Sequence, residues 1–260
     1  MKLAISNIAF EAQDDIFYYE KLSEMGFSGL EIAPTRIIPE NPYDRLSQIE
    51  AFSKGLYADY GLEICSMQSI WFGISQKMFD SEEDRKFLTD YTKKAIDFAK
   101  SAGCSNLVFG CPRNRAGGNG ENYKYAVEFF KETGDYAALN STFVSIEANP
   151  PIYNTDFINN DDQALKLYKD VSSTGFKINL DMGTMIHNGE AVKDIDFSAI
   201  NHVHLSEPGL VEIENRPLHR ELAEAMRQSG YNGYVSIEMK KGLPREKVIE
   251  IMKYAKDVFS

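Results

Sequence analysis

The chain has 260 residues, with 28 Lys or Arg, 39 Asp or Glu and 4 His, so its formal net charge is −11. A content of 43% hydrophobic and 26% charged residues is typical of a globular protein that buries a full core. The acidic balance argues against nucleic acids and anionic membranes as partners, because both need a basic face. It favours a small-molecule partner.

Short apolar runs alternate with longer amphipathic segments along the whole chain, and eight of these runs are predicted to be strands. They are residues 3–7, 29–33, 62–68, 106–110, 143–147, 177–181, 202–206 and 234–238. The segments between them have the spacing of amphipathic helices.

The clearest predicted helix follows Ser81, an N-cap candidate with three acidic residues after it, and ends before Gly103. Its apolar side chains recur at helical spacing and are expected to face the core. They are Phe87, Tyr91, Ala95 and Phe98. Two later helices are predicted to begin at Pro217 and Pro244.

Eight strand and helix units in 260 residues are typical of a (β/α)8 barrel, which has about 250 residues. An open doubly wound sheet would also alternate strands and helices, but no GxGxxG motif follows the first strand. No linker or shift in composition marks a domain boundary. The sequence therefore predicts an α/β fold, a (β/α)8 TIM barrel, with a single domain over residues 1–260.

The last four predicted strands have one polar and one apolar face, because successive strand residues point to opposite sides. The polar face carries Ser145, Glu147, Asn179, Asp181, His202, His204, Ser206, Ser236 and Glu238. Helices cover the outside of a barrel, so the polar face must point inward. The acidic and His residues lie at the strand ends where barrel active sites are built.

A divalent metal site is predicted at these strand ends. A single Glu or His there would be typical of a rim or core residue, but four such residues share one phase on four adjacent strands. Burying three carboxylates and an imidazole is costly unless they are paired or bind a cation. Glu147, Asp181, His204 and Glu238 offer three oxygen donors and one nitrogen donor, a set suited to one Mn²⁺, Mg²⁺, Co²⁺ or Zn²⁺ ion.

At these positions the chain resembles the sugar phosphate isomerase/epimerase family with a xylose isomerase-like TIM barrel. This superfamily also contains AP endonuclease family 2 proteins similar to endonuclease IV. The matching segments are SIEANP (145–150), NLDMG (179–183), HVHLSE (202–207) and YNGYVSIEM (231–239). The resemblance covers essentially the whole chain, and by position it implies that Glu147, Asp181, His204 and Glu238 bind the metal.

Two departures from the family pattern concern the substrate. Ketose epimerases of this family commonly have a His three residues after the metal-binding Asp, where this chain has Thr184. They also have an Arg shortly after the metal-binding His, and residues 208–210 contain none. His187 and Arg115 are the candidates to replace these groups.

Further candidates for substrate binding follow the third and fourth strands. Arg113 and Arg115 could clamp a phosphate or carboxylate with forked hydrogen bonds, or could be solvated loop residues. Trp71 could cover the apolar face of a sugar, or could pack on top of the barrel. The remaining candidates are Gln68, Glu31, His187 and Glu207.

The resemblance implies an enzyme that acts on a sugar or sugar phosphate. The metal would chelate a carbonyl and an adjacent hydroxyl and stabilise an enediolate. Glu147 and Glu238 would be the catalytic acid and base, while Asp181 and His204 would only bind the metal. Proton removal on one face with return on the other gives epimerisation, and transfer between neighbouring carbons gives isomerisation.

Three other functions remain open. A polyol dehydratase of the inosose type would use the same metal and carboxylates to expel water. An endonuclease IV-like phosphodiesterase would need several metals, hence more ligands, and a basic surface; 4 His and a net charge of −11 count against it. A sugar-binding barrel without catalysis is the third alternative.

The cysteines predict the compartment. Cys65, Cys104 and Cys111 are odd in number and form no CxxC motif, so we expect reduced thiols and a cytoplasmic protein. No stretch approaches the roughly 18 apolar residues of a membrane span, and the acidic N-terminal segment is unlike a signal peptide. The oligomeric state is left open, with a homo-oligomer among the outcomes.

Overall fold

A computed structural model describes all 260 residues and contains eight parallel strands that form a closed barrel in chain order. The strands are β1 (Lys2–Ser6), β2 (Gly29–Ile32), β3 (Glu63–Met67), β4 (Asn106–Phe109), β5 (Phe143–Glu147), β6 (Phe176–Asp181), β7 (Ile200–Leu205) and β8 (Tyr234–Ile237). All eight predicted strands are therefore confirmed.

Helices surround the barrel and alternate with the strands. They are α1 (Asp15–Met25), α2 (Pro34–Ile37), α3 (Leu46–Tyr60), α4 (Glu82–Ala102), α5 (Tyr123–Leu139), α6 (Asp161–Val171), α7 (Met182–Asn188), α8 (Pro217–Ser229) and α9 (Arg245–Phe259). None of them combines the length and the apolar character that crossing a bilayer requires. The alternation confirms the predicted single-domain (β/α)8 TIM barrel.

Strands β1 and β8 close the barrel. Leu3 pairs with Val235 and Ile5 with Ile237, so the first strand is hydrogen-bonded on both edges. Close packing at β2 requires a glycine, because a Cβ atom at Gly29 would lie 2.5 Å from the ring of Tyr234. Closure leaves no free strand edge and brings all eight strand ends to one rim.

Helix α4 begins and ends where the sequence predicts. The hydroxyl of Ser81 accepts a hydrogen bond from the backbone N–H of Asp84 at 3.0 Å, and Gly103 ends the helix with a φ of 67°. The expected core face was partly wrong, because Phe87 is 42% exposed. The buried stripe is rotated by one position and includes Leu88, Thr92, Ala95, Ile96 and Ala99.

The interior of the barrel is polar below the rim. The Asn106 side chain donates to Ser66 Oγ at 3.0 Å and accepts from the hydroxyl of Ser145 at 2.6 Å and from the amide of Asn201 at 2.7 Å. These groups satisfy one another, which reduces the cost of burying them. The inward polar face predicted from the alternating pattern is thus present, and it continues upward to the carboxylates.

Candidate metal centre

The last four strands bring four candidate metal ligands to the carboxyl rim. Glu147 and Asp181 are the last residues of β5 and β6, and Glu238 directly follows β8. His204 of β7 pairs with Asp181 and Ser236 in the sheet. The four side chains offer ligand atoms that all lie within 4.8 Å of one another. The set predicted from the sequence is therefore brought together in space.

His204 lies at the centre of this group. Its Nδ1 atom is 2.9 Å from Oε1 of Glu147, 3.1 Å from Oε2 of Glu238 and 4.0 Å from Oδ2 of Asp181. All four side chains are buried. Three carboxylates thus converge on the Nδ1 atom of a single imidazole.

An amide side chain also supports each of the two glutamates. Gln68 donates to Oε1 of Glu238 at 3.0 Å, and Asn149 donates to Oε2 of Glu147 at 2.8 Å. Asn179 donates to Oε1 of Glu147 at 2.8 Å. In each glutamate, one carboxylate oxygen lies next to His204 and the other accepts a hydrogen bond from an amide. In Glu147, the oxygen next to His204 also accepts from Asn179.

Hydrogen bonds hold Asp181 from both sides. Its Oδ1 accepts from the backbone N–H of Thr184 at 2.6 Å, and its Oδ2 accepts from the hydroxyl of Ser206. The hydroxyl of Thr184 donates to the carbonyl of Ala148 at 2.9 Å. Thr184, which occupies the position of the family's substrate-binding His, therefore directs its hydroxyl proton to the backbone.

Burial and like charge shift the protonation of the carboxylates. Burial raises the pKa of Glu238 to about 7, and the neighbouring charge of Glu147 adds to this shift. Burial and Glu147 also raise the pKa of Asp181 to about 6. Burial would lower the pKa of His204, but Glu238 and Glu31 outweigh it and hold that pKa well above the ordinary value.

These shifts fit a cation site. Without a metal, a proton on His204 supplies the positive charge that the three carboxylates require. A divalent cation in the same place would neutralise more of their charge, and the donor set of three carboxylate oxygens and one imidazole nitrogen suits Mn²⁺, Mg²⁺, Co²⁺ and Zn²⁺.

A cavity of about 170 Å³ opens beside the carboxylates. Its lining is Gln68, Ser69, Val108, Gly110, Cys111, Pro112, Glu147, Asn149, Tyr153, Asp181, Leu210 and Glu238. Among the predicted substrate-binding residues, only Gln68 contributes to this lining.

Arg115 is fully buried and donates only to groups of the protein. Its guanidinium binds the carbonyls of Gly110, Phe157 and Glu147 and the Oδ1 atom of Asn149, at 2.6–2.8 Å. Because an arginine only donates, Asn149 must turn its NH₂ group toward Glu147. This arrangement favours a supporting role for Arg115 over contact with a substrate phosphate.

Two other candidates are also engaged by the protein. The Trp71 indole donates to Thr92 at 3.0 Å and packs edge-on against Phe109, which matches the packing alternative. Glu207 is buried and accepts from Arg216 at 2.7 Å. Both side chains lie outside the cavity lining.

The remaining candidates lie outside the cavity lining. Arg113, in the turn that follows β4, and His187, near the end of α7, are exposed and do not line the cavity. Glu31 is fully buried, with Oε2 at 2.9 Å from Nε2 of His204. It therefore contacts a metal-ligand candidate from inside the barrel.

Eight of the twelve cavity residues escaped sequence reasoning, among them Asn149, Tyr153 and Leu210. Asn149 lies two residues after Glu147, and this spacing could have revealed it. Tyr153 and Leu210 come from loops: the Tyr153 hydroxyl accepts from the N–H of Gly209 at 2.8 Å, and Leu210 has a left-handed φ of 57°. Neither loop path follows from strand alternation.

A family model described as a xylose isomerase-like TIM barrel matches residues 19–258. No match is found among the curated proteins.

Solved structures of similar fold cover nearly the whole chain. A 3-keto-D-glucoside 4-epimerase from E. coli is 17% identical, with a TM-score of 0.80 and 99% of each chain covered. A D-psicose 3-epimerase with D-tagatose from Clostridium cellulolyticum H10 is 16% identical, with a TM-score of 0.75 and 100% of each chain covered. The IOLI protein with a bound zinc atom is 17% identical, with a TM-score of 0.76, covering 100% of this chain and 98% of its own.

At sequence identities of 16–17%, the similarity to these solved structures establishes only the fold. The family model, which matches most of the sequence, identifies the family. Both agree with the closed barrel and with the resemblance seen at the four strand ends. The chain belongs to the xylose isomerase-like TIM barrel family.

Proposed function

We propose that this chain is a divalent-metal-dependent isomerase or epimerase that acts on a sugar or sugar phosphate. The convergence of three buried carboxylates on Nδ1 of His204, beside a cavity at the carboxyl rim, carries the proposal. The activities named for two structural neighbours, a 3-keto-D-glucoside 4-epimerase and a D-psicose 3-epimerase, support it. The zinc atom of a third supports a metal cofactor.

Glu147, Asp181, His204 and Glu238 would hold the cation. When bound, it would supply the positive charge that stabilises developing negative charge on the substrate oxygens of an enediolate. Asp181, held by two hydrogen bonds, would act only as a ligand, as would His204.

Glu147 and Glu238 would move the proton. They enter the cavity from β5 and β8, with two strands between them, and so approach a substrate from different sides. One carboxylate would accept a proton from carbon, and the other would return a proton to the opposite face, which inverts the stereocentre. Return by the same carboxylate to the neighbouring carbon would give isomerisation. The raised pKa of Glu238, about 7, suits a group that gains and loses protons near neutrality.

The experiment is metal analysis followed by incubation with a panel of ketoses and ketose phosphates in deuterated water. Deuterium at the carbon next to the carbonyl is the expected result, because the abstracted proton exchanges with solvent. Loss of water from a cyclic polyol would instead identify the dehydratase. A metal-free protein whose activity survives Glu147→Gln would overturn the proposal.

A further inference from the structure

The imidazole of His204 is engaged on both sides. Its Nδ1 faces the candidate metal centre, and its Nε2 lies 2.9 Å from Oε2 of Glu31. Glu31 is completely buried and does not line the cavity. Its carboxylate therefore contacts the ring opposite to the pocket carboxylates.

We propose that Glu31 is a positioning residue that fixes His204 as an Nδ1 ligand, an inference that rests on the proposed metal function. A neutral imidazole carries one ring proton, so when Nδ1 binds a cation the proton is on Nε2. The Nε2–H group then donates to Glu31, which sets both the tautomer and the plane of the ring.

The sequence of β2 places Glu31 where only a specific partner offsets its burial. Its neighbours Leu30 and Ile32 are buried and apolar, and Glu31 pairs with Ser6 and Ser66 in the adjoining strands. Barrel interiors are normally filled by branched apolar side chains, and an isolated buried carboxylate is costly. A histidine partner supplies the compensating hydrogen bond.

A second histidine lies beside the carboxylate. Nε2 of His202 lies 3.2 Å from the same Oε2 atom of Glu31, and the rings of His202 and His204 are nearly perpendicular. Only the contact with His204 has hydrogen-bond geometry, because Nε2 of His202 has no hydrogen-bond partner, so the Glu31 carboxylate is directed to His204.

Glu31, His202 and His204 could also be considered a second cation site, because their ligand atoms lie close together. A cation there, with the first site filled, would require His204 to lose its remaining ring proton. A hydrogen bond from Nε2–H of His204 to Glu31 requires no such loss, and the observed distance of 2.9 Å between Nε2 and Oε2 is that of a hydrogen bond. We therefore assign this trio to the orientation of His204.

The test is binding of Zn²⁺ and Co²⁺ to the wild type, Glu31→Ala and Glu31→Gln, measured by competition with a chelator. We expect Glu31→Ala to lose about 10- to 100-fold in affinity for both metals. We expect a smaller loss for Glu31→Gln, because its amide oxygen still accepts from Nε2–H. The visible absorption of bound Co²⁺ should change in the alanine variant as the imidazole loses its fixed orientation.

Nitrogen-15 NMR of labelled histidine in the Zn²⁺-loaded protein reports the tautomer directly. The wild type should show an Nε2–H proton of His204 that is shifted downfield and protected from exchange. In Glu31→Ala this proton should move upfield and exchange faster, because its acceptor is gone, whereas in Glu31→Gln it keeps an acceptor and should stay protected.

Asp15→Asn is the matched control, because it also neutralises a carboxylate with a basic partner, Arg36, outside the cavity lining. Its metal affinity should stay within twofold of wild type. If the wild type binds neither metal, the proposed function is overturned, and the positioning role of Glu31 is overturned with it. If Glu31→Ala binds as tightly as wild type with the same Nε2–H signal, only the positioning role is overturned. Should Glu31→Ala not fold, unchanged affinity and proton shift in Glu31→Gln overturn it instead.

Discussion

At the scale of single residues, Glu147 and Glu238 carry the proposed proton transfer. We expect Glu147→Gln and Glu238→Gln each to lower solvent deuterium exchange into substrate by about 10²- to 10⁴-fold, because an amide neither accepts nor returns the proton. Glu214→Gln, at an exposed carboxylate, serves as the control and should exchange at the wild-type rate. Equal rates in all three variants would rule out the acid/base assignment.

The raised pKa of Glu238 gives the metal-free protein a pH-dependent stability. The folded chain binds this proton more tightly than the unfolded chain between the ordinary pKa of 4.5 and the folded value of about 7. The stabilisation is complete below pH 4.5 and is lost as the pH rises through about 7. Asp181 acts in the same direction between 3.8 and about 6.

Glu238→Gln removes that titration. Without metal, we expect the variant to gain stability relative to wild type by up to a few kcal/mol between pH 4.5 and 7, since one pKa unit corresponds to about 1.4 kcal/mol. Urea unfolding of both proteins in chelator across this range is the measurement. A constant difference between them would contradict the assignment.

Arg115 is expected to stabilise the fold beneath the cavity. Arg115→Lys should lower the free energy of unfolding by about 2–4 kcal/mol, since one ammonium cannot replace donors to four separate acceptors and buried acceptors are left unsatisfied. Arg113→Lys, two residues earlier and exposed, is the control and should unfold like wild type. Similar urea midpoints for the two variants would show that the buried network contributes little.

The cluster of candidate metal ligands could be predicted from sequence, whereas the groups that support it could not. Alternation alone sends Glu147, Asp181, His204 and Glu238 inward, and parallel strands bring their ends together. The contact between Glu31 and His204 joins residues far apart in the chain, and its existence depends on the register across the barrel. In the sequence, an arginine at position 115 is consistent with a phosphate clamp. Only the structure shows that the protein's own carbonyl groups accept its hydrogen bonds, which indicates a supporting role.

At the scale of elements, the cap of α4 is open to a direct test. Ser81→Ala removes the acceptor for the Asp84 N–H and should cost about 1 kcal/mol of stability. Ser101→Ala in the same helix, where the hydroxyl donates to the Asp97 carbonyl, should change stability less. Thermal unfolding of both variants is the measurement, and an equal effect would show that the cap is not special.

Helix boundaries were predicted better than helix faces. Ser81 and Gly103 set the ends of α4 through local backbone chemistry, which the sequence states directly. The buried face depends on how the helix rotates against β3, β4 and its neighbouring helices. A shift of one residue exposes Phe87 and buries Leu88, and the aromatic spacing alone does not distinguish the two.

At the scale of the whole molecule, metal binding should stabilise the entire barrel, because the ligands come from four strands that unfolding would separate. At a free metal concentration of 100 times the Kd, linkage adds about 2.7 kcal/mol. For a chain of this size that corresponds to a rise in Tm of roughly 5–10 °C. Calorimetry with and without chelator measures it, and Glu147→Gln should show a much smaller rise. An equal rise in that variant would place the metal elsewhere.

The order of the strands has a consequence for how the substrate selectivity of the site could change. The four candidate ion ligands lie in or directly after β5 to β8, while Glu31 lies in β2 and Gln68 directly follows β3. The half-barrel from β5 to β8 would therefore bind the ion, while both half-barrels contribute contacts to its ligands and line the cavity. Changes in the loops that line the cavity, such as those that carry Cys111, Tyr153 and Leu210, would therefore change which molecule is admitted without moving the four candidate ion ligands from their strand ends.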